Sequence, residues 1–81
     1  MSDKGPLSPH IAAILERERD DQGLSQTALG AMAGISQSQI SKYLRAERVL
    51  TIDRLDALCT ALGLDIVDVV REAVQTRARR S

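Results

Sequence analysis

Residues 23–44 read GLSQTALGAMAGISQSQISKYL, and how this stretch folds decides the rest of the chain. Ser25 and Ser36 each head a run rich in Ala, Leu and Ile, and Gly34 falls between the runs. Serine is a preferred helix N-cap because its hydroxyl accepts a backbone N–H that the first turn leaves unpaired. Ser36-Gln37-Ser38-Gln39 also has the capping-box form S-x-x-Q, a helix-start signature. Only Gly34, Ile35 and the cap Ser36 separate the two helices, so the chain must turn sharply. Glycine takes the positive φ of such a turn without a Cβ penalty. Leu29, Ala33, Ile35, Ile40 and Tyr43 are then spaced to meet inside the corner, and small residues at Ala28, Gly30 and Ala33 let the helices approach. The pattern is a helix-turn-helix.

The outer face of the second of these helices carries the chemistry. At 100° per residue, Ile40, Tyr43 and Leu44 mark the side that faces the protein. Ser38, Ser41, Lys42 and Arg45 point the other way, with Gln37 in the exposed first turn. A merely solvated face would favour Glu and Lys, which form helices better and pair at i,i+4. Short or planar hydrogen-bonding side chains suit the major groove of DNA instead. There Gln bonds adenine bidentately, Ser donates or accepts at several bases, and Lys reaches guanine acceptors. The helix N-termini at Ser25 and Ser36 add backbone N–H groups suited to phosphate oxygens.

Working outward, Ser8-Pro9 reads as a first helix start, serine as N-cap and proline at the first helical position. Ile11, Ile14 and Leu15 form its apolar stripe, and Gly23 is a natural stop. After the loop RAERVL, Thr51 caps a fourth helix with Ile52, Leu55, Leu58 and Leu62 on one side, ending at Gly63. Asp65 caps a fifth, which carries Ile66, Val67, Val69, Val70, Ala73 and Val74. The run Ile66–Val70 is β-branched but lacks alternation and leads into Arg-Glu-Ala, which predicts helix. The expected fold is all-α: five helices over residues 8–76, a flexible lead-in at 1–7 and a basic tail at 77–81.

Composition sets the frame. The chain has 81 residues, enough for one domain with a modest core, and Tyr43 is its single aromatic residue. Eleven basic and eleven acidic side chains give zero net charge, which taken alone speaks against a nucleic-acid partner. Their distribution speaks for one. Acids crowd into 16–21 and 53–72, whereas no Asp or Glu occurs from Gln22 to Ala46, where Lys42 and Arg45 lie and Arg48 follows. The single cysteine, Cys59, fits a reducing compartment, and no leader or membrane-span pattern is present, so the expected location is cytoplasmic.

The stretch from Ile14 to Val70 resembles the helix-turn-helix domain of the Cro/XRE, or lambda-repressor-like, family. The resemblance rests on GLSQ, AGISQSQISK, Glu47-Arg48 with Thr51 three residues on, and the spacing of leucines up to ALGL. It implies a five-helix domain that binds operator DNA as a dimer, with the third helix in the major groove. By position, Gln26 matches a glutamine that contacts phosphate and braces the first glutamine of the recognition helix, here Gln37. Gln37, Ser38, Ser41 and Lys42 match base-reading positions. Ser36, Arg45 and Arg48 match backbone-contacting or loop positions, and Gln39 is read as a cap residue that also reaches phosphate. Arg19 matches an arginine that pairs with a glutamate of the third helix. Leu44 stands where that glutamate is common, which leaves Arg19 for phosphate or for Glu16. Ala46 replaces a frequent glycine, predicting a different turn after the third helix, and Leu50 replaces a frequent proline. Gly30 replaces an alanine at a cost of ~1 kcal/mol.

Other residues take plainer readings. Cys59 reads as core, and His10 has no partner for zinc. Asp53, Asp65 and Asp68 sit where acids favour helix starts, so no metal or cofactor is expected. No nucleophile–base set or paired catalytic acid points to an enzyme. The apolar surface of the fifth helix is broader than one docking seam needs, and Ile66, Val67, Val70 and Val74 are the expected homodimer interface. The basic residues Arg77, Arg79 and Arg80 are either a solvating tail or a DNA-binding arm. The leading reading is a repressor that binds double-stranded DNA. The alternative is an antitoxin that also binds a toxin partner.

Overall fold

The structure is a computed structural model that describes residues 6–79. Five helices follow in order: α1 (Ser8–Asp21), α2 (Gln26–Ala33), α3 (Gln37–Leu44), α4 (Ile52–Leu62) and α5 (Ile66–Arg79). The starts of α2, α3 and α4 obey their caps. Ser25 Oγ accepts from Ala28 N at 3.0 Å, Ser36 Oγ from Gln39 N at 3.2 Å, and Thr51 Oγ1 from Arg54 N at 3.1 Å. Asp65 Oδ1 accepts from Val67 N at 2.8 Å at the head of α5.

Helix α1 starts differently from expectation. Leu7, not Ser8, is its N-cap, with no side-chain cap, and Pro9 lies inside the first turn. Leu7 packs against the core and its carbonyl accepts from Ile11 N at 2.9 Å. Partial burial of that leucine against the core draws the helix start back a residue and outweighs the serine cap. Residues 1–5 of the expected lead-in lie outside the described residues. At the other end, α5 runs through Arg77 and Arg79, so the expected boundary at residue 77 falls inside a helix. Arginine is a good helix former, and cations at a helix C-terminus complement the dipole. Arg80 lies outside the described residues.

The interior is built from Ile11, Ile14, Leu15, Leu29, Ile35, Ile40, Tyr43, Leu55, Leu58, Cys59, Leu62, Val69 and Ala73. Helix α1 touches α3, α4 and α5, while α2 packs on α3 and α4. Side-chain bonds fasten α1 and its C-cap to their neighbours. Arg17 forks onto both Glu72 carboxylate oxygens on α5, at 2.8 and 3.3 Å. Gln22 Nε2 donates to the Leu62 carbonyl at 2.8 Å at the end of α4. Ile52, expected on the apolar side of α4, is 67 % exposed, and Met32 on α2 is 55 % exposed. The buried edge of α2 is centred on Leu29 and Gly30, which leaves Met32 off its side. Ile52 opens α4 and overhangs the start of α5.

The helix ends share one device. After α1 and α4, glycines at positive φ, Gly23 (+67°) and Gly63 (+73°), let the next N–H groups turn back to the last carbonyls. Gly34 (+71°) does the same after α2, and Ile35 N reaches Gly30 O at 2.9 Å. Ala46 makes the same turn after α3 at φ +59°, with Glu47 N on Lys42 O at 2.8 Å. The turn there is therefore the ordinary one, held by a residue that pays a left-handed penalty. Gly30 is likewise no mere defect, because a Cβ there would run into the Ile35 carbonyl oxygen.

Candidate nucleic-acid interface

The turn between α2 and α3 brings Gln26 and Gln37, the first residues of the two helices, side by side. Gln37 Nε2 donates to Gln26 Oε1 at 2.9 Å. This bond leaves the second Nε2 hydrogen of Gln37 and its own carbonyl for an outside partner. Ser38 is exposed beside it, and Ser41 and Lys42 are half-buried one turn further along α3. Behind them Ile40 is fully buried and Tyr43 nearly so, which fixes the rotation of α3 and hence the direction of its polar face.

Around this row the other expected contacts divide. Ser36 is exposed at the head of α3 while its hydroxyl caps the helix. Gln39 is half-buried, and its Oε1 is buried without a hydrogen-bond partner, so the reciprocal arm of the capping box is not made. Arg45 and Arg48 are exposed just beyond α3. Arg45 Nε lies 3.3 Å from Glu47 Oε2, a contact that the acid-free window, ending at Ala46, did not suggest. An acid two residues after an arginine across a helix end was its only trace in the sequence.

Arg19 does not stand open to phosphate. Its Nε and one terminal nitrogen bind the two oxygens of Glu16 at 3.0 and 2.6 Å. The other terminal nitrogen donates to the Leu24 carbonyl at 2.6 Å, and the side chain is only 16 % exposed. Each partner shifts the other: the hydrogen bond from Arg19 holds the Glu16 carboxyl below its usual range, and Glu16 raises the guanidinium. With Leu44 in place of a glutamate on α3, Arg19 finds its carboxylate on its own helix and braces the α1–α2 corner.

A second surface lies away from this row. Ile52, Ile66, Val67, Val70 and Arg71 line an open apolar groove between α4 and α5. Val67 is 57 % exposed and Val74 38 %, whereas Ile66 and Val70 are half-buried against the core. Ile52 and Arg71 line the groove but were absent from the expected interface. The acids near helix starts are engaged locally: Asp65 caps α5, and Asp68 meets Arg71 at 3.2 Å. No helix among the described residues is long and apolar enough to cross a membrane.

A helix-turn-helix whose second helix offers amides, hydroxyls and cations is the layout of a sequence-reading DNA-binding domain. A helix-turn-helix family model matches residues 15–69, and the chain belongs to that family, of Cro/XRE type, whose members are DNA-binding transcription regulators. Among solved structures, the clp gene regulator ClgR from C. glutamicum is similar at 26 % identity over 89 % of this chain and 94 % of that one, with a TM-score of 0.80. The restriction-modification controller protein C.Esp1396I shares the fold at 21 % identity, over 88 % and 91 % of the two chains, with a TM-score of 0.78. So does the hypothetical transcription factor NHTF from Neisseria, at 20 % identity over 84 % and 76 %, with a TM-score of 0.76. No curated protein sequence matches the chain.

Proposed function

We propose that this DNA-binding transcriptional regulator is an operator-binding repressor that works as a homodimer and carries out no catalysis. The observation that carries this reading is the Gln37–Gln26 bond at the head of an acid-free polar face. A glutamine held by one amide hydrogen presents its remaining groups in a fixed direction, as bidentate adenine recognition requires. Gln37, Ser38, Ser41 and Lys42 read base edges; Gln26, Ser36, Arg45 and Arg48 hold the backbone. Arg19 and Gln39 are assigned to the scaffold. Few cations face the groove, so the salt dependence of binding is moderate.

The apolar groove of α4 and α5 supports the dimer. A two-fold contact that sets Ile52, Ile66, Val67, Val70 and Val74 of one protomer against the same residues of its partner would cover apolar surface that a monomer leaves wet. The recognition helices then enter half-sites ~10 base pairs apart.

Selection of a random DNA library on the purified protein tests this reading, beside a Gln37→Ala, Ser38→Ala double variant. An inverted repeat enriched by the wild type and altered by the variant is the expected result. A single unrepeated half-site would remove the dimer, and no enrichment would remove sequence-specific binding.

A further inference from the structure

We infer that Glu47 is an internal competitor for phosphate, holding Arg45 so that DNA binding must exchange one anion for another. The inference rests on the reading of Arg45 as a backbone contact. Arg45 is the C-cap of α3 and Glu47 follows it by two residues, with Arg45 Nε 3.3 Å from Glu47 Oε2. Both side chains are more than half exposed, at 61 % and 54 %, so neither is held there by burial. The backbone supplies the placement. Ala46 at φ +59° folds the chain back, and Glu47 N donates to the Lys42 carbonyl at 2.8 Å. The Glu47 backbone is thereby set beside the end of the recognition helix, with its carboxylate in reach of Arg45.

Glu47 is also the first acid after the stretch that has none, from Gln22 to Ala46, so it is the carboxylate nearest in sequence to the DNA-facing row. An approaching phosphate meets an arginine already paired with a carboxylate and must displace that carboxylate to bind it. Phosphate contacts position a protein without reading bases. Glu47 therefore lowers affinity for every duplex alike and leaves the base preference to α3. In a chain whose charges balance, this acid sets how tightly the protein holds DNA in general.

The test uses the full chain as wild type, Glu47→Gln, Arg45→Ala and the double variant, with fluorescence anisotropy on a random-sequence duplex and on the selected duplex over a range of salt. Replacing Glu47 with Gln should tighten both duplexes by the same factor, up to about fivefold. It should also steepen the log–log salt dependence by about 0.9. In the Arg45→Ala background the same change should do nothing. A gain that persists without Arg45 overturns the inference, because Glu47 would then act on phosphate directly; so does the absence of any gain. If Arg45→Ala leaves duplex binding intact while Gln37→Ala still shifts base preference, the inference fails and the DNA reading stands. Wild type that binds no duplex at low salt overturns both.

Discussion

Gln37 donates to the Gln26 side-chain carbonyl at 2.9 Å, so the first residue of α2 aims the first residue of α3. Such a bond between exposed side chains adds little to stability, and its consequence lies in recognition. Gln37→Ala should lose ~1 to 3 kcal/mol at one base position and relax preference there. Gln26→Ala should lose part of that at the same base, because Gln37 is no longer aimed, and also weaken all duplexes slightly. At that base the double variant should be no worse than Gln37→Ala alone, since contacting residues are not additive. Competition binding against a set of single-base-substituted duplexes reads all three. Arg45→Ala serves as the contrast, weakening every duplex by the same factor.

The two small residues at the ends of the recognition unit should respond in opposite directions. Gly30→Ala gains ~1 kcal/mol of helix propensity. It also drives a Cβ into the Ile35 carbonyl oxygen at the tightest point of the α2–α3 corner. Backbone that must shift costs ~1 to 3 kcal/mol, so a net loss is expected. Ala46→Gly relieves a left-handed alanine worth ~1 to 2 kcal/mol, less the added freedom of the unfolded chain. A net gain of about 0.5 to 1 kcal/mol should appear as a higher urea midpoint at unchanged m.

The particular residues show why much of the fold could be read from the chain. Ser25, Ser36, Thr51 and Asp65 act through hydroxyls or carboxylates on N–H groups two or three residues away, so their effect is local and visible in sequence. Gly34 and Gly63 mark ends for the same reason. The misreadings came from contacts beyond one turn. Leu7, partly buried on the core, opens α1 in place of Ser8, and Ile52 stands exposed over the start of α5; the close approach at Gly30, by contrast, was legible as a small residue in the corner. At the site, α3's polar row was legible from helical spacing. The partners of Arg19 and Arg45 were not, since choosing among nearby carboxylates and carbonyls needs the folded geometry.

Arg19 offers a test of scaffold against phosphate. Arg19→Gln removes the fork onto Glu16 and the bond to the Leu24 carbonyl. Glu16 is 43 % exposed, so solvent screens the pair, and a loss of about 1 kcal/mol is expected. The pH dependence follows from the lowered Glu16 carboxyl. Its folded state binds the proton less readily than the unfolded chain, so this stability is present above the ordinary carboxylate range. It disappears as pH falls through the depressed value. Urea midpoints between pH 7 and about 3 should therefore fall less steeply in Arg19→Gln than in wild type. The salt dependence of DNA binding should not change, which a phosphate contact would not allow.

Cys59 predicts the alkaline limb. Its thiol is 1 % exposed and, chiefly through burial, is pushed up from 9.0 to about 11. Between those values the unfolded chain ionises and the folded one does not, so the unfolded state binds fewer protons and stability falls as pH rises. The decline is on the order of 1 kcal/mol per pH unit over that window. Below it the thiol contributes its full share, and alkylation at pH 8 should track global unfolding. A Cys59→Ala variant, less stable at neutral pH, should lose this alkaline slope.

Val67→Glu separates dimerisation from folding and from DNA reading. Val67 is 57 % exposed on α5, so a carboxylate there meets water in the monomer and should change its stability by no more than about 0.5 kcal/mol. In a two-fold contact the same substitution buries two like charges against apolar partners, since each protomer brings one. Sedimentation should show wild type as a dimer and the variant as a folded monomer, with unchanged helical circular dichroism. Affinity for an inverted repeat should fall by about 100-fold or more as the two half-sites cease to be held together. Binding to a single half-site should stay as it was, because the row from Gln37 to Lys42 lies away from the α4–α5 groove. Ile52→Lys should repeat the pattern if the groove between α4 and α5, rather than α5 alone, is the contact. An intact dimer in both variants would place the interface elsewhere on the molecule.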